Sequence, residues 1–200
     1  LVVLGNLNNN RAIFPLYARY YCADDAIYPG ENGFDLRTIV NPYGTGANLI
    51  LAGGSDAAGV ERSIERLIGC VHTSAAGGRV EIPFLLEVQL DPELARGLAG
   101  WPETPLDVAI PQVDSGHSKA LGATEGLLRA IGAYGSLYAW TGDIRYGEFA
   151  AACLKTLNQT SSTSYGDWHY LAERFLRALP WLNASGLLEA SDVHRSEQLI

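Results

Sequence analysis

The spacing of hydrophobic positions changes near the middle of the chain. Leu1 to Leu4 is a continuous apolar run that reads as a buried strand ending at Gly5-Asn6. Asn8-Asn9-Asn10 then offers several helix caps. Ile13, Leu16, Tyr17, Tyr20 and Tyr21 follow at i, i+3, i+4, i+7 and i+8, the spacing of one helical face. Pro15 fits only a first turn, so regular helix is expected to begin near Ala12 to Phe14. After a loop carrying Pro29, Gly30 and Gly33, Phe34, Leu36, Thr38 and Val40 alternate with Asp35, Arg37 and Ile39, which predicts a half-buried strand. The turn Asn41-Pro42-Tyr43-Gly44-Thr45-Gly46 leads into Leu49 to Ala52, apolar on both faces, and the two strands make a hairpin.

Gly53-Gly54-Ser55-Asp56 closes that hairpin and caps a helix. Its predicted buried stripe is Val60, Ile64, Leu67 and Ile68, with Glu61, Arg62, Glu65 and Arg66 on the wet face. A Gly-rich stretch from Thr73 to Gly78 precedes a last strand around Phe84 to Leu90. The resulting order, β-α-β-β-α-β over residues 1–90, predicts a small two-layer sandwich with two helices on one face of a mainly antiparallel sheet.

Residues 91–115 hold Pro92, Pro102, Pro105 and Pro111 without sustained periodicity and read as a linker or wrapping segment. From Gly116 to Ile200 the pattern is helical. Leu121, Leu128, Ile131 and Tyr138 mark a long helix ending at Trp140-Thr141-Gly142, and Asp143 caps the next, which carries Tyr146, Phe149, Ala150, Cys153 and Leu157. A third helix runs from about Asp167 with Trp168, Leu171, Phe175, Leu179 and Leu182 inside, and a fourth starts at Ser191-Asp192. Gly122, Gly126, Gly132 and Gly135 each weaken the first of these helices by up to ~1 kcal/mol relative to Ala, which predicts close approach of a neighbouring helix. The fold class is therefore α+β, an α/β sandwich followed by an all-helical module.

Composition sharpens the picture. The chain has 200 residues, 48% hydrophobic and 18% charged, enough to bury a core and incompatible with disorder. No apolar run approaches the ~20 residues that span a bilayer. There is no Met, so the chain reads as an excised piece of something longer. Each half carries 7 basic and 11 acidic side chains, an even acidity that disfavours nucleic acid and anionic membrane as partners. Ten Tyr, four Trp and five Phe in an acidic chain suit a neutral or sugar-like ligand, although most such rings pack in cores. Cys22, Cys70 and Cys153 lack metal or redox spacing, and a Cys22–Cys70 bridge is one option. The four histidines are scattered, so neither a metal nor another cofactor is expected.

Few motifs carry chemistry. The glycines at 44, 46, 53 and 54 fit no phosphate loop, no Lys stands near them, and Asp56 at the helix start would repel a phosphate. Asp24-Asp25 and Glu81/Glu87 are conceivable acid–base pairs but read more simply as solvated surface. Asn158-Gln159-Thr160 and Asn183-Ala184-Ser185 are sequons expected in turns. The densest polar-aromatic group is Tyr165, Asp167, Trp168, His169, Tyr170 and Arg174. It joins a Ser/Thr-rich loop to a helix start, where Trp168 and Tyr170 can offer ring faces and His169 and Arg174 can bind a carboxylate.

Two stretches carry a resemblance. "NPYGTGANLILAGGSDAAGVERSIERL", from Asn41 to Leu67, resembles the small α/β domain that precedes the catalytic domain of β-hexosaminidases and α-glucuronidases. "YAWTGDIRYGEFAAACL", from Tyr138 to Leu154, is similar to the opening hairpins of the (α/α) toroid of heparinase-like polysaccharide lyases and several glycosidases. The pairing implies the N-terminal part of a bacterial, secreted or periplasmic enzyme that degrades polysaccharide. The toroid would be incomplete here, with the rest of the parent chain as partner and the catalytic residues unassigned. The alternative expectation is a non-catalytic carbohydrate-binding or protein-interaction module.

Overall fold

The computed structural model describes residues 1–73, 80–99, 117–160 and 169–198, with the backbone alone for 72–73, 117–123, 160 and 169–174. The fold is mixed α and β. The chain forms two compact units, Leu1–Ala99 and Gly100–Ile200.

The first unit opens with strand β1 (Val2–Leu4), which is half-exposed rather than buried as expected: it lies at the edge of the sheet, and only Val3 is interior. Asn10 then caps a 3-10 turn over Arg11–Ile13, its side chain accepting from the Ala12 N–H at 3.0 Å, and a single helical turn, α1 (Phe14–Tyr17), follows with Pro15 in its first turn. The longer helix predicted through Tyr21 does not form. Only Ile13 and Leu16 of the proposed face are fully buried, and Tyr20 takes a left-handed φ of 61° and is 66% exposed. One turn suffices to bury the two aliphatic side chains, and Tyr17 turns its hydroxyl to Asp25 Oδ2 at 3.1 Å instead of extending an apolar stripe.

Strand β2 (Phe34–Ile39) and strand β3 (Leu49–Gly54) form the predicted hairpin, and helix α2 (Ala57–Cys70) follows, N-capped by Asp56. Short strands β4 (His72–Thr73) and β5 (Val80–Glu81) pair with each other, and strand β6 (Leu86–Gln89) returns to the main sheet. The sheet order is β1-β3-β2-β6, with β1 parallel to β3 and the other pairings antiparallel. Phe34, Leu36, Ala52, Leu67 and Leu85 make the core under α2, joined by Ile50, Ile64 and Cys70.

The stripe that α2 buries differs from the expected one. Gly59, Ser63 and Leu67 are buried, whereas Ile68 is 68% exposed. A Cβ on Gly59 would stand 2.0 Å from the Gly33 carbonyl oxygen, so the first turn of the helix lies against backbone and no side chain fits at that position. Gly69, on the same helix, has open space where a Cβ would go. Gly69→Ala is therefore expected to stabilise the unit by about 0.5–1 kcal/mol, read as a higher urea midpoint.

The stretch expected to be a linker starts with helix α3 (Pro92–Ala99). Asp91 caps it, accepting from the Glu93 and Leu94 N–H groups at 2.7 and 2.9 Å.

In the second unit, helix α4 (His117–Thr141) packs along both helix α5 (Ile144–Thr160) and helix α6 (His169–Ala184), and helix α7 (Ala190–Gln198) packs on α5. A helix flanked on two sides is apolar nearly all round. Leu127, Leu128, Ile131, Tyr134, Leu137 and Tyr138 of α4 are accordingly all buried. The α4–α5 bend forms as the sequence predicts, with Gly142 at φ 67° and Asp143 accepting from the Arg145 N–H at 3.0 Å. Gly135 is one of the predicted close approaches: a Cβ there would lie 2.4 Å from that of Ala178 on α6.

Candidate functional site

The densest polar cluster among the described residues lies on the face of the sheet opposite α2. Asp35 and Arg37 are two residues apart on β2, so both side chains leave the same face. On β3 their partners are Gly53 and Leu51, and the missing side chain at Gly53 leaves a recess. Asp24 fills it, its Oδ1 1.9 Å from where a Gly53 Cβ would stand. Asp24 is 0% exposed, Asp35 0% and Arg37 2%, and Cys22 is buried beside them. This overturns two expectations: β2 is buried on both faces rather than one, and Asp24 is interior rather than solvated.

Arg37 Nε donates to Asp35 Oδ1 at 2.8 Å, and Arg37 Nη2 meets Asp35 Oδ2 as an ion pair. The Tyr28 hydroxyl accepts from Nη2 at 3.5 Å. Burial works against the Arg37 charge, but Asp35, with help from Tyr28, more than reverses it and raises the guanidinium pKa. Burial, reinforced by the negative charge of Asp35, pushes the Asp24 carboxyl well above the ordinary carboxylate range. Burial also pushes the Cys22 thiol up to about 12 and the Tyr28 hydroxyl well above its usual value.

Such a group can hold structure but cannot reach a substrate, because the carboxyls have no solvent contact. The sequence did carry a signal for it. Opposite charges at i and i+2 of a strand leave the same face and can pair with each other, although whether the pair is buried depends on what packs over it.

Asp25 has a separate role. Its Oδ1 accepts from the Ile27 and Tyr28 N–H groups at 2.7 and 2.9 Å, and its Oδ2 accepts from the Tyr17 hydroxyl at 3.1 Å, so it shapes the loop. Glu81 and Glu87 are not a pair either. Glu87 Oε2 accepts from Arg66 Nε at 2.8 Å, and Glu81 stands opposite His72 in the two-stranded sheet.

An open groove of about 600 Å³ runs between the end of β1 and the first turns of α2, lined by Leu4, Asn9, Val60, Glu61, Ile64 and Glu65. The Asn9 side-chain oxygen already accepts from the Asn6 N–H at 2.8 Å. The start of α2 is likewise occupied. Asp56 accepts from the Asn32 and Gly59 N–H groups, each at 2.8 Å, and these bonds hold its carboxyl below the usual range. A phosphate finds its donors taken there, as the sequence indicated.

Of the sequence-predicted contact residues, Tyr165 and Trp168 lie outside the described residues. His169, Tyr170 and Arg174 fall on the first turns of α6, and their side chains lie outside the described residues as well. The first sequon stands on a helix rather than in a turn, and the second runs from the end of α6 into the turn at Ser185. Asn158, on α5, donates from Nδ2 to the Asp192 carbonyl at 2.9 Å and accepts from Ser196 Oγ at 3.2 Å, tying α5 to α7, and Asn183 is exposed on the last turn of α6. Cys22, Cys70 and Cys153 are free thiols, with Cys153 buried on the apolar stripe of α5 and its pKa pushed up to about 11 by burial. Among the described residues no cluster of His, Cys, Asp and Glu could hold a metal ion, and no helix is long and apolar enough to cross a membrane.

Comparison with family models, with curated proteins and with solved structures gave no match.

Proposed function

We propose that this chain is part of an exported, polysaccharide-degrading enzyme, a lyase or a glycoside hydrolase. In this reading the α/β unit is an accessory scaffold and the helical unit forms one wall of a sugar-binding cleft. The observation that carries it is the sealed state of the Asp24–Asp35–Arg37 cluster. An α/β unit that spends its clustered ionisable groups on its own interior is suited to scaffolding, and chemistry falls to the remainder of the protein. The order β1-α1-β2-β3-α2-β6 is in keeping with the two-layer accessory domain of β-hexosaminidases and α-glucuronidases. The α4–α5 hairpin, bent at Gly142 and Asp143, is in keeping with the start of an (α/α) toroid.

Sugar contact is assigned to the segment from Tyr165 to Arg174. Trp168 and Tyr170 supply ring faces, and His169 and Arg174 bind the carboxylate of a uronate. Cleaving a glycan needs acid and base groups on both sides of one bond, so residues 1–200 alone are expected to bind oligosaccharide without cutting it. Release of sugar by this chain in isolation would contradict that.

In the full-length parent, His169→Ala should lower kcat/KM about tenfold, the equivalent of one lost charge-assisted hydrogen bond, with thermal unfolding unchanged. Unchanged turnover and unchanged sugar binding would remove the assignment. A parent that binds oligosaccharide but never cleaves it would establish the second reading, a non-catalytic binding module. The open groove beside α2 favours that reading, because it offers a contact surface on the scaffold unit itself, with Leu4, Val60 and Ile64 beside Glu61 and Glu65.

A further inference from the structure

We propose that Asp24 and Asp35 hold one proton between them, so that a carboxylic acid–carboxylate hydrogen bond clamps the Cys22–Tyr28 segment to the sheet and opens when the proton leaves. Two buried carboxyl oxygens carry the inference. Asp24 Oδ1 and Asp24 Oδ2 accept no hydrogen bond from any described group, although both are shut away from solvent, whereas Asp35 Oδ2 has the Arg37 guanidinium beside it and a lone pair to spare. Buried polar atoms without partners are rare and costly. Two carboxylates can only accept, which is why neither satisfies the other when both are ionised. The Asp24 carboxyl nevertheless fills the recess over Gly53, the β3 residue paired directly with Asp35, so the two carboxyls are neighbours on one face of the sheet. One proton on Asp24 turns it into a donor to Asp35 Oδ2, and the buried group then carries one negative charge opposite the one positive charge of Arg37. Charge and hydrogen bonding close together.

The surroundings leave Asp24 as the group that switches. From its own segment it faces Cys22 and Tyr28, whose pKa values burial raises, so both stay neutral until strongly alkaline pH. From β2 it faces Asp35 and Arg37, and the guanidinium keeps its charge throughout. From β3 it faces Gly53, which has nothing to titrate. On the far side, the Asp24 carbonyl accepts from the Leu7 N–H at 2.9 Å, so the residue bridges the chain after β1 to the sheet. Losing the proton places two like charges in a recess with one cation, and the segment must lift to hydrate them. A metal cation is a poorer tenant, since hard cations ask for about six to eight oxygen ligands and Arg37 already supplies the positive charge.

The sign of the pH dependence follows. An unfolded Asp releases its proton near pH 3.9, whereas folded Asp24 keeps it above that value, so the folded state binds more protons and loses stability as pH rises. The unfolding constant of the α/β unit should increase about tenfold per pH unit from about pH 4 up to the folded pKa of Asp24. The test is urea unfolding of residues 1–200 at a series of pH values, read by hydrogen exchange of the β2 and β3 amides.

In Asp24→Asn the side-chain N–H₂ donates to Asp35 permanently, and the slope should fall by one proton. Equal slopes in the two proteins would overturn the proposal. Carbon NMR titration of the wild-type carboxyls supplies a reading that does not depend on the variant folding. One Asp carboxyl should stay protonated well above the ordinary range, and a full set titrating near pH 3.9 would equally overturn it. Stabilisation at neutral pH by added calcium or magnesium, reversed by a chelator, would show a metal in place of the proton and would also overturn it.

Discussion

Arg37→Met should destabilise the α/β unit by about 3–5 kcal/mol, the cost of leaving a buried carboxylate without its cation. Arg37 is 2% exposed and supplies the positive charge facing Asp24 and Asp35. Without it, either a second proton must enter the recess or Asp35 remains charged in an apolar interior. The loss should therefore shrink as pH is lowered, because acid provides that proton. Adding Asp35→Asn to Arg37→Met should recover part of the stability, since no buried charge is left and the amide oxygen still accepts from Asp24. All four tryptophans lie beyond residue 100, so tryptophan fluorescence reports the helical unit alone. The effect on the first unit is read instead from exchange of the β2 and β3 amides. A loss below about 1 kcal/mol, the range of an exposed pair, would mean that Arg37 is hydrated in solution.

Gly135→Leu should cost the helical unit about 3 kcal/mol, the upper end of overpacking. Even a methyl group at Gly135 would sit 2.4 Å from the Ala178 Cβ, so α4 and α6 would have to separate along their shared seam. The discriminating experiment is an exchange of methyl groups. Gly135→Ala alone is expected to destabilise despite its better helix propensity, and Gly135→Ala with Ala178→Gly should regain most of the loss, because the Cβ has only moved from one side of the contact to the other. Additive effects in tryptophan-monitored urea unfolding would mean that the two helices do not touch there. Gly69→Ala on α2 is the counterpart, the same change with the opposite expected sign, because nothing stands within 4 Å of it.

The helical half was the more legible in sequence because its signals are local. Gly142 and Asp143 announce a bend through their own backbone chemistry, and Cys153 and Leu157 fall inside because they continue a stripe. The α/β half was legible where partners are close in the chain, as in the β2–β3 hairpin and the Asp56 cap. It was misread where a distant segment decides burial. Asp35 and Arg37 alternate with apolar residues, which locally means a wet face, and only Asp24 arriving over Gly53 makes that face interior. Helix α2 was turned wrongly for a related reason. Hydrophobicity favours Val60 and Ile68, but the closeness of Gly33 to Gly59 favours the smallest side chains. The predicted sugar-contact residues sit where sequence is strong on composition and silent on direction: Trp168 and Tyr170 have ring faces whether or not these face a cleft.

The sheet also fixes an order of assembly. Ile39 pairs with Leu49 across a short turn, whereas Val2 pairs with Ile50 through the whole intervening chain. Closing the longer loop costs roughly 1.4 kcal/mol more in chain entropy, so the hairpin is expected to form first and β1 to join it afterwards. A ribosome makes β1 first and β3 much later. Throughout that interval the strand has no ladder to enter, and Val3, which the fold buries, is exposed with its backbone to whatever else the nascent chain meets.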